Sequence, residues 1–236
     1  MNSMSVPFFY ESQLPENIEH FALSADTSKH CVQVLRMQPG EAIALTNGLG
    51  VQYDARILTA DKRQTIVTLT NKVIAPPLTT KTSIAISFVK NAARMEWFLE
   101  KATEIGISNI YPLIAERTER TNFKAERWEN IIVSAMLQSK QVWKTQLHEP
   151  ITVKTLIHKP FNGLKMIAHC EDGNKETIPS LKQLNEQLML IGPEGDFTSA
   201  EIKEALLAGF SPVSLGNTRL RTETAGIYAA VLLQHK

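Results

Sequence analysis

Two short stretches concentrate the residues able to bind or polarise a ligand. The first is Leu190-Ile191-Gly192-Pro193-Glu194-Gly195-Asp196-Phe197. An apolar strand runs straight into a Gly-Pro-Glu-Gly turn, and a capped helix follows. In open α/β sheets, ligands settle beyond the carboxyl ends of the strands. Gly192 and Gly195 carry no Cβ, so a flat ligand can lie against bare backbone there. The plain alternative is an ordinary strand-to-helix turn.

The second stretch is Leu215-Gly216-Asn217-Thr218-Arg219-Leu220-Arg221-Thr222-Glu223-Thr224-Ala225. It too follows an apolar strand and enters a helix. Arg219, Arg221, Glu223 and the hydroxyls of Thr222 and Thr224 crowd a helix N-terminus, whose free N–H groups and partial positive charge favour anions. The plain alternative makes Thr222 a cap, Glu223 a favourable first-turn acid and the arginines solvated.

Other chemistries have no signature. Neither GxGxxG nor GxxxxGK[ST] occurs, and HExxH and Gly-x-Ser-x-Gly are missing. The histidines (His20, His30, His148, His158, His169, His235) are scattered with no i, i+4 pair, so no metal site is expected. Cys31 and Cys170 are too few for a disulfide scaffold or a four-ligand zinc site. They read as core residues of a protein from a reducing cytoplasm.

These stretches need a scaffold. The 236 residues, 43% hydrophobic and 21% charged, describe a globular chain of one or two domains. The longest apolar run, 227–233, falls far short of the roughly 20 residues of a membrane span. No basic or apolar leader opens the chain, so no secretory signal is expected. Net charge is +1, but residues 81–147 hold 10 basic against 7 acidic side chains, a local field suited to a polyanion.

Residues 70–82 carry no periodicity and include Pro76-Pro77, so they read as a linker with the domain break near Ala75. Before it, strands at 41–46, 51–57 and 65–69, an Asn47-Gly48 turn and one helix at 27–36 suggest a small barrel. After it, strands at 83–89, 107–114, 165–170, 188–191 and 212–215 alternate with helices. One helix has Met95, Phe98, Leu99, Ala102 and Ile105 on one face and ends at Gly106. Others span 124–141, 199–207 with a Thr198–Glu201 capping box, and 223–234. The expected fold is α/β, a parallel sheet with helices on both faces.

Taken together, the motifs acquire a likeness. GPEGDF at 192–197 followed by LG…LRTETA at 215–225 resembles the methyltransferase domain of the 16S ribosomal RNA uridine-N3 methyltransferase family. Lys90 with Arg94-Met95-Glu96-Trp97 and Lys101-Ala102-Thr103-Glu104-Ile105-Gly106 resembles its K…RMEW…KATELG block. Glu116-Arg117-Thr118, Arg127-Trp128 with Gln138-Ser139, and His30 with Val34-Leu35-Arg36-Met37 and Gly40 extend the likeness over nearly the whole chain. Two departures stand out. Thr218 and Arg219 replace the pattern's usual arginine and aliphatic residue, and Lys140-Gln141 replaces its usual Gly-Arg. Both bear on the local grip on RNA.

The resemblance implies a SPOUT-type parallel sheet with a C-terminal trefoil knot over 76–236, preceded by a PUA-like β-barrel over 1–75. It implies a cytoplasmic homodimer that uses S-adenosylmethionine, no metal and no membrane, and modifies 16S rRNA of the small ribosomal subunit. On this reading Ile191, Gly192, Pro193, Glu194, Gly195, Leu215, Gly216, Leu220 and Thr222 hold the cofactor. Arg221 stabilises charge on the uracil oxygens, while Glu223 is either general base or the ion-pair partner that orients Arg221. Arg36, Lys90, Arg94, Arg117, Arg120 and Arg219 meet RNA. Trp97 is expected in the core or at a dimer contact.

Three other classes compete. Ribose 2′-O-methylating SPOUT enzymes tend to have Asn-x-Ser-x-Ala where this chain has Thr222-Glu223-Thr224-Ala225. An intact GPEG turn with Arg221 and Glu223 argues against a non-catalytic RNA-binding module. The missing Gly-rich fingerprint argues against a nicotinamide oxidoreductase.

Overall fold

The alternating stretch at 51–57 forms the centre of a five-stranded sheet in the computed structural model of the protein, which describes residues 6–15, 18–119, 121–181 and 184–234. The strands are β1 (Phe8–Tyr10), β2 (His20–Ala22), β3 (Ala42–Thr46), β4 (Val51–Thr59) and β5 (Ile66–Ile74), in the order β1-β3-β4-β5-β2. Val51, Tyr53, Ala55 and Ile57 turn inward on β4 while Asp54 and Arg56 face out. They meet Phe9, Leu23, Ile43, Leu45, Val67 and Leu69 in one core. Each fully buried aliphatic side chain contributes about 1.5–3 kcal/mol.

The helix expected at 27–36 is shorter and starts earlier. Helix α1 (Ala25–Lys29) is capped by Ser24, whose Oγ accepts from Thr27 N–H. The buried Glu11 carboxylate holds that cap by accepting from Ser24 N–H at 3.0 Å and Ser24 Oγ at 2.9 Å. A wider π-type turn (His30–Val34) follows, and Arg36 ends it at φ 55°. Cys31 is buried there, and burial pushes its thiol up to about 11.

The linker is also shorter than expected. β5 continues through Ile74 and the next strand starts at Lys81, which leaves only 75–80 between them. The chain divides into two compact units, Met1–Pro77 with Met136–Lys144, and Leu78–Ala135 with Thr145–Lys236. Residues 136–144 therefore pack with the first unit, unlike the division expected at Ala75. Leu49 bridges Trp143, Gly50 N–H donates to Val142 O, and Lys144 N–H donates to Gly48 O. Gly50 is required here: a Cβ would lie 2.3 Å from the Trp143 ring, and φ is +86°.

The second unit carries β6 (Lys81–Ser87), β7 (Asn109–Ile114), β8 (Gln146–Leu147), β9 (Ile151–Thr152), β10 (Leu164–Ala168), β11 (Glu176–Thr177), β12 (Glu186–Ile191) and β13 (Ser211–Ser214). Their order is β11-β13-β10-β12-β6-β7-β8, with β9 also on β7, and every pair is parallel. A parallel sheet is buried on both faces, so its strands read as near-continuous apolar runs. Ile84, Ile86, Met189 and Ile191 face a core shared with α2 (Ala92–Ile105), α3 (Ala125–Gln138) and α6 (Thr222–Gln234). Ala85, Leu188 and Leu190 face the other side, against α4 (Val153–Ile157) and α5 (Ser199–Leu207).

Helix boundaries follow their chemistry. Asn91 caps α2, and Gly106 ends it at φ 94°. Thr198 and Glu201 close the capping box of α5. Helix α6 lies close on β6 and α2 because it has Gly226: a Cβ there would meet both Ile86 and Phe98 at 2.7 Å. Trp97, expected at a contact or in the core, is 44% exposed. Among the described residues no helix is long and apolar enough to cross a membrane, and no group of three or more His, Cys, Asp or Glu is placed to hold a metal ion.

Candidate active site

The carboxyl ends of β10, β12 and β13, neighbours in the sheet, open onto one cleft of about 800 Å³. The loops after those three strands line it. Ile191, Gly192, Pro193, Glu194 and Gly195 come from the first stretch, and Leu215, Gly216, Arg219, Leu220, Arg221 and Thr222 from the second. The two stretches, 18 residues apart in the chain, are thus walls of the same cleft.

The Gly-Pro-Glu-Gly loop is held from four directions. Thr222, in the first turn of α6, donates its hydroxyl to Gly192 O at 3.0 Å in a buried position. Arg117 Nη1 donates to Gly195 O at 2.8 Å. Lys90 N–H donates to Glu194 Oε1 at 3.2 Å. Asp196, at φ 62°, accepts from Cys170 N–H at 2.6 Å and from Phe197 N–H at 2.8 Å. Asp tolerates this left-handed conformation because its short side chain can hydrogen-bond locally.

The two glycines of the turn differ in what the fold itself asks of them. A Cβ on Gly192 would stand 3.1 Å from the buried Phe197 ring, so Gly192 makes room for Phe197. A Cβ on Gly195 would only touch the Arg117 stem, at 3.4 Å. Gly216 is the conformational glycine, at φ +106° with open space around it.

Not every expected residue reaches the cleft. Glu223 is buried in the first turn of α6 and does not line it. Its Oε1 lies 3.5 Å from Arg94 Nε in an ion pair, and its buried Oε2 has no hydrogen-bond partner among the described residues. Lys90 pairs with Glu119 at 2.9 Å. Arg117 is on the cleft, but Nη1 is committed to the loop backbone. Arg36 lies in the first unit, exposed, and Arg120 falls outside the described residues.

The cleft also includes residues outside the two stretches: Ala168 at the end of β10, His169, Cys170, Glu171 and Lys175 after it, and Val213 on β13. Cys170 is exposed at this edge and not a core residue. Its thiol is pushed up by partial burial and then by Asp196. Both ring nitrogens of His169 are buried without a partner among the described residues, and burial followed by Lys175 lowers its basicity, which favours the neutral imidazole. The only sequence signal for this third loop was its place after an apolar strand.

Residues 76–234 match the RNA methyltransferase domain family, and residues 23–70 match the RNA methyltransferase PUA domain family. A ribosomal RNA small subunit methyltransferase E from Synechocystis sp. is 31% identical over 223 residues, 89% of this chain and 72% of that protein. The chain belongs to the ribosomal RNA small subunit methyltransferase E family. A methyltransferase structure from Legionella pneumophila, in complex with SAM, is 30% identical with a TM-score of 0.87, covering 97% of each chain. The Neisseria gonorrhoeae ribosomal RNA small subunit methyltransferase E, bound to S-adenosyl methionine, is 26% identical with a TM-score of 0.84, again over 97% of each chain. The fold is therefore the α/β parallel sheet with a preceding PUA-like unit that the resemblance implied, and the protein is an rRNA methyltransferase.

Proposed function

We propose that this chain methylates N3 of a uridine in the decoding region of 16S rRNA, within the 30S subunit, with S-adenosylmethionine as donor. The observation that carries the reading is the cleft in which the Gly192–Gly195 turn and Arg221 share one space, tied together by Thr222. Its volume falls within the roughly 300–1,000 Å³ of small-molecule sites. Ile191, Val213, Leu215, Leu220 and Ala225 offer an apolar bed for an adenine, and the backbone of 192–195 and 215–216 offers donors and acceptors for its edges. The residues present fit the cofactor. When bound, S-adenosylmethionine supplies an electrophilic methyl group on a sulfonium.

The protein's task is positioning and proton removal. Uracil N3 carries a weakly acidic proton that must leave as the new N–CH3 bond forms. Arg221 faces the cleft and stabilises the negative charge that develops on the uracil oxygens, a role suited to a fixed guanidinium fork. The N3 proton passes to solvent in the cleft, and Glu223, paired with Arg94 behind the cleft wall, holds the first turn of α6 in place. Thr222 keeps the cofactor loop and the α6 terminus at constant spacing.

A paired or stacked uridine hides N3, so the base must be unpaired or flipped out. Arg219 is exposed on the cleft wall and meets phosphate there. The PUA-like unit, with Arg36, and the basic segment with Lys90, Arg117 and Arg120 hold the RNA backbone. The chain works in the cytoplasm as a homodimer and carries the family's C-terminal knot.

The test is nucleoside mass spectrometry of rRNA from 30S subunits of a strain lacking its own N3-methyluridine enzyme, after incubation with this protein and S-adenosylmethionine. N3-methyluridine is expected. A 2′-O-methyl nucleoside, or no product on subunits competent with a known enzyme, would reject the reading.

A further inference from the structure

We infer that Asp196 is a positioning residue for the cofactor: its carboxylate ties the loop after β10 to the loop after β12 and so fixes two walls of the cleft against each other. The inference rests on the reading of this cleft as the S-adenosylmethionine site and adds a residue to it. Strands β10 and β12 pair in parallel as far as Ala168 and Ile191, where both end. Beyond that register the ladder stops and the cleft opens. Asp196 rejoins the two chains there. Its Oδ2 accepts from Cys170 N–H at 2.6 Å, across 26 residues of sequence, and its Oδ1 accepts from Phe197 N–H at 2.8 Å. Asp196 and Cys170 both line the cleft, so the tie is made at the wall itself.

The backbone that aims this carboxylate is held on both sides. Asp196 N–H closes the turn by donating to Pro193 O at 2.9 Å. Arg117 Nη1 donates to the flanking carbonyls, Gly195 O at 2.8 Å and Phe197 O at 3.4 Å. The result is a left-handed backbone, φ 62°, at a residue with a side chain. Glycine would take that conformation at no steric cost, and such strain persists only where the surrounding structure over-determines it. What glycine would lack is the pair of acceptors. Each carboxylate oxygen faces a different backbone N–H, a demand that an amide side chain, with one oxygen, cannot meet. The rest of the β10 loop has its own anchors. Glu171 accepts from the Ser199 hydroxyl, and Lys175 Nζ donates to His169 O at 2.8 Å. Loss of the Asp196 tie therefore loosens the wall at Cys170 without releasing the loop.

The experiment measures binding of S-adenosylmethionine and of S-adenosylhomocysteine by isothermal titration to the wild type, Asp196→Gly and Asp196→Asn, with hydrogen exchange of the Cys170 amide in the free proteins. Asp196→Gly keeps the turn and removes both acceptors. It is expected to bind both ligands about tenfold more weakly, the scale of one lost hydrogen bond to a charged group. Its Cys170 amide is expected to exchange faster than in the wild type. Asp196→Asn, one acceptor short, is expected to weaken both ligands as well. Weaker S-adenosylmethionine binding with S-adenosylhomocysteine untouched would assign Asp196 a direct charge contact with the sulfonium and overturn the inference. Weaker binding of both with Cys170 exchange unchanged would also overturn it, since the effect would not pass through the tie. Should Asp196→Gly fail to fold, Asp196→Asn decides by the same readings. A wild type that binds neither ligand would overturn the reading of the cleft and this inference with it. A wild type that binds both, with variants that bind as tightly, would overturn only the inference.

Discussion

The hydroxyl of Thr222 donates to the carbonyl of Gly192 across 3.0 Å of buried space, joining the first turn of α6 to the loop that follows β12. This bond couples the residues expected to hold the cofactor to those expected to act on the base. Thr222→Val keeps the shape but leaves the Gly192 carbonyl unpaired, which costs about 1–3 kcal/mol. Isothermal titration is expected to show S-adenosylmethionine bound about tenfold more weakly, equivalent to ~1.4 kcal/mol. Thr222→Ser keeps the donor and is expected to bind as the wild type does.

The close approach of α6 to α2 and β6 depends on Gly226. A methyl group there meets Ile86 and Phe98 at 2.7 Å, and neither fully buried side chain has room to withdraw. Overpacking of this kind costs about 1–3 kcal/mol. Gly226→Ala is expected to lower the urea midpoint with little change in slope. Because the contact also sets where the first turn of α6, with Thr222, stands against the Gly192 loop, methyl transfer should slow even where the variant is fully folded.

Lys140 occupies the left-handed position, φ 56°, that closes α3. Gln141 N–H donates to Met136 O and Lys140 N–H to Leu137 O, the bond pair of a helix stop that ordinarily has glycine at this place. Lys140→Gly is expected to stabilise the protein by roughly 0.5 kcal/mol, the relief of the left-handed strain less the entropy of glycine. A thermal melt reads the sign.

Two histidines are expected to make stability fall with acid. Burial lowers the basicity of His148, which stacks on Tyr111 with ring centroids 3.9 Å apart, and of His169 beside the cleft. A histidine whose folded value is depressed takes up its proton more readily in the unfolded chain. Its stabilisation is therefore complete above the ordinary value of about 6.5 and is lost as pH falls through the depressed folded value. The melting temperature is expected to drop as pH falls below about 6.5, and to drop less in a His148→Gln/His169→Gln variant. An unchanged slope in that variant would assign the acid sensitivity elsewhere.

Local chemistry was legible where one residue type satisfies one geometric demand. Gly106 ends α2 in the left-handed conformation, Thr198 and Glu201 close their capping box, and the face of Met95, Phe98, Leu99 and Ala102 is buried as its spacing requires. The continuation of β5 through 70–74 was not legible, because Thr70, Asn71, Lys72, Val73 and Ile74 are exposed or half-exposed and leave no alternation to read. Helix α4 has only five residues, too few for a period. The affiliation of 136–144 with the first unit rests on pairing of Leu49 with Trp143, a contact between distant parts of the chain. At the site, both loops stood out by composition. Missing were the third loop, with His169 and Cys170, and the ion pair of Arg94 with Glu223, since only the folded chain brings those residues together.

The most direct test of the account is the rate of N3-methyluridine formation by Arg221→Ala on 30S subunits saturated with S-adenosylmethionine, alongside the wild type. Loss of a preorganised charge-stabilising group predicts a rate about 10²- to 10³-fold lower, with cofactor affinity unchanged. An Arg221→Ala protein that forms N3-methyluridine as fast as the wild type would contradict it and move the charge-stabilising role to another residue of the cleft, Arg219 first.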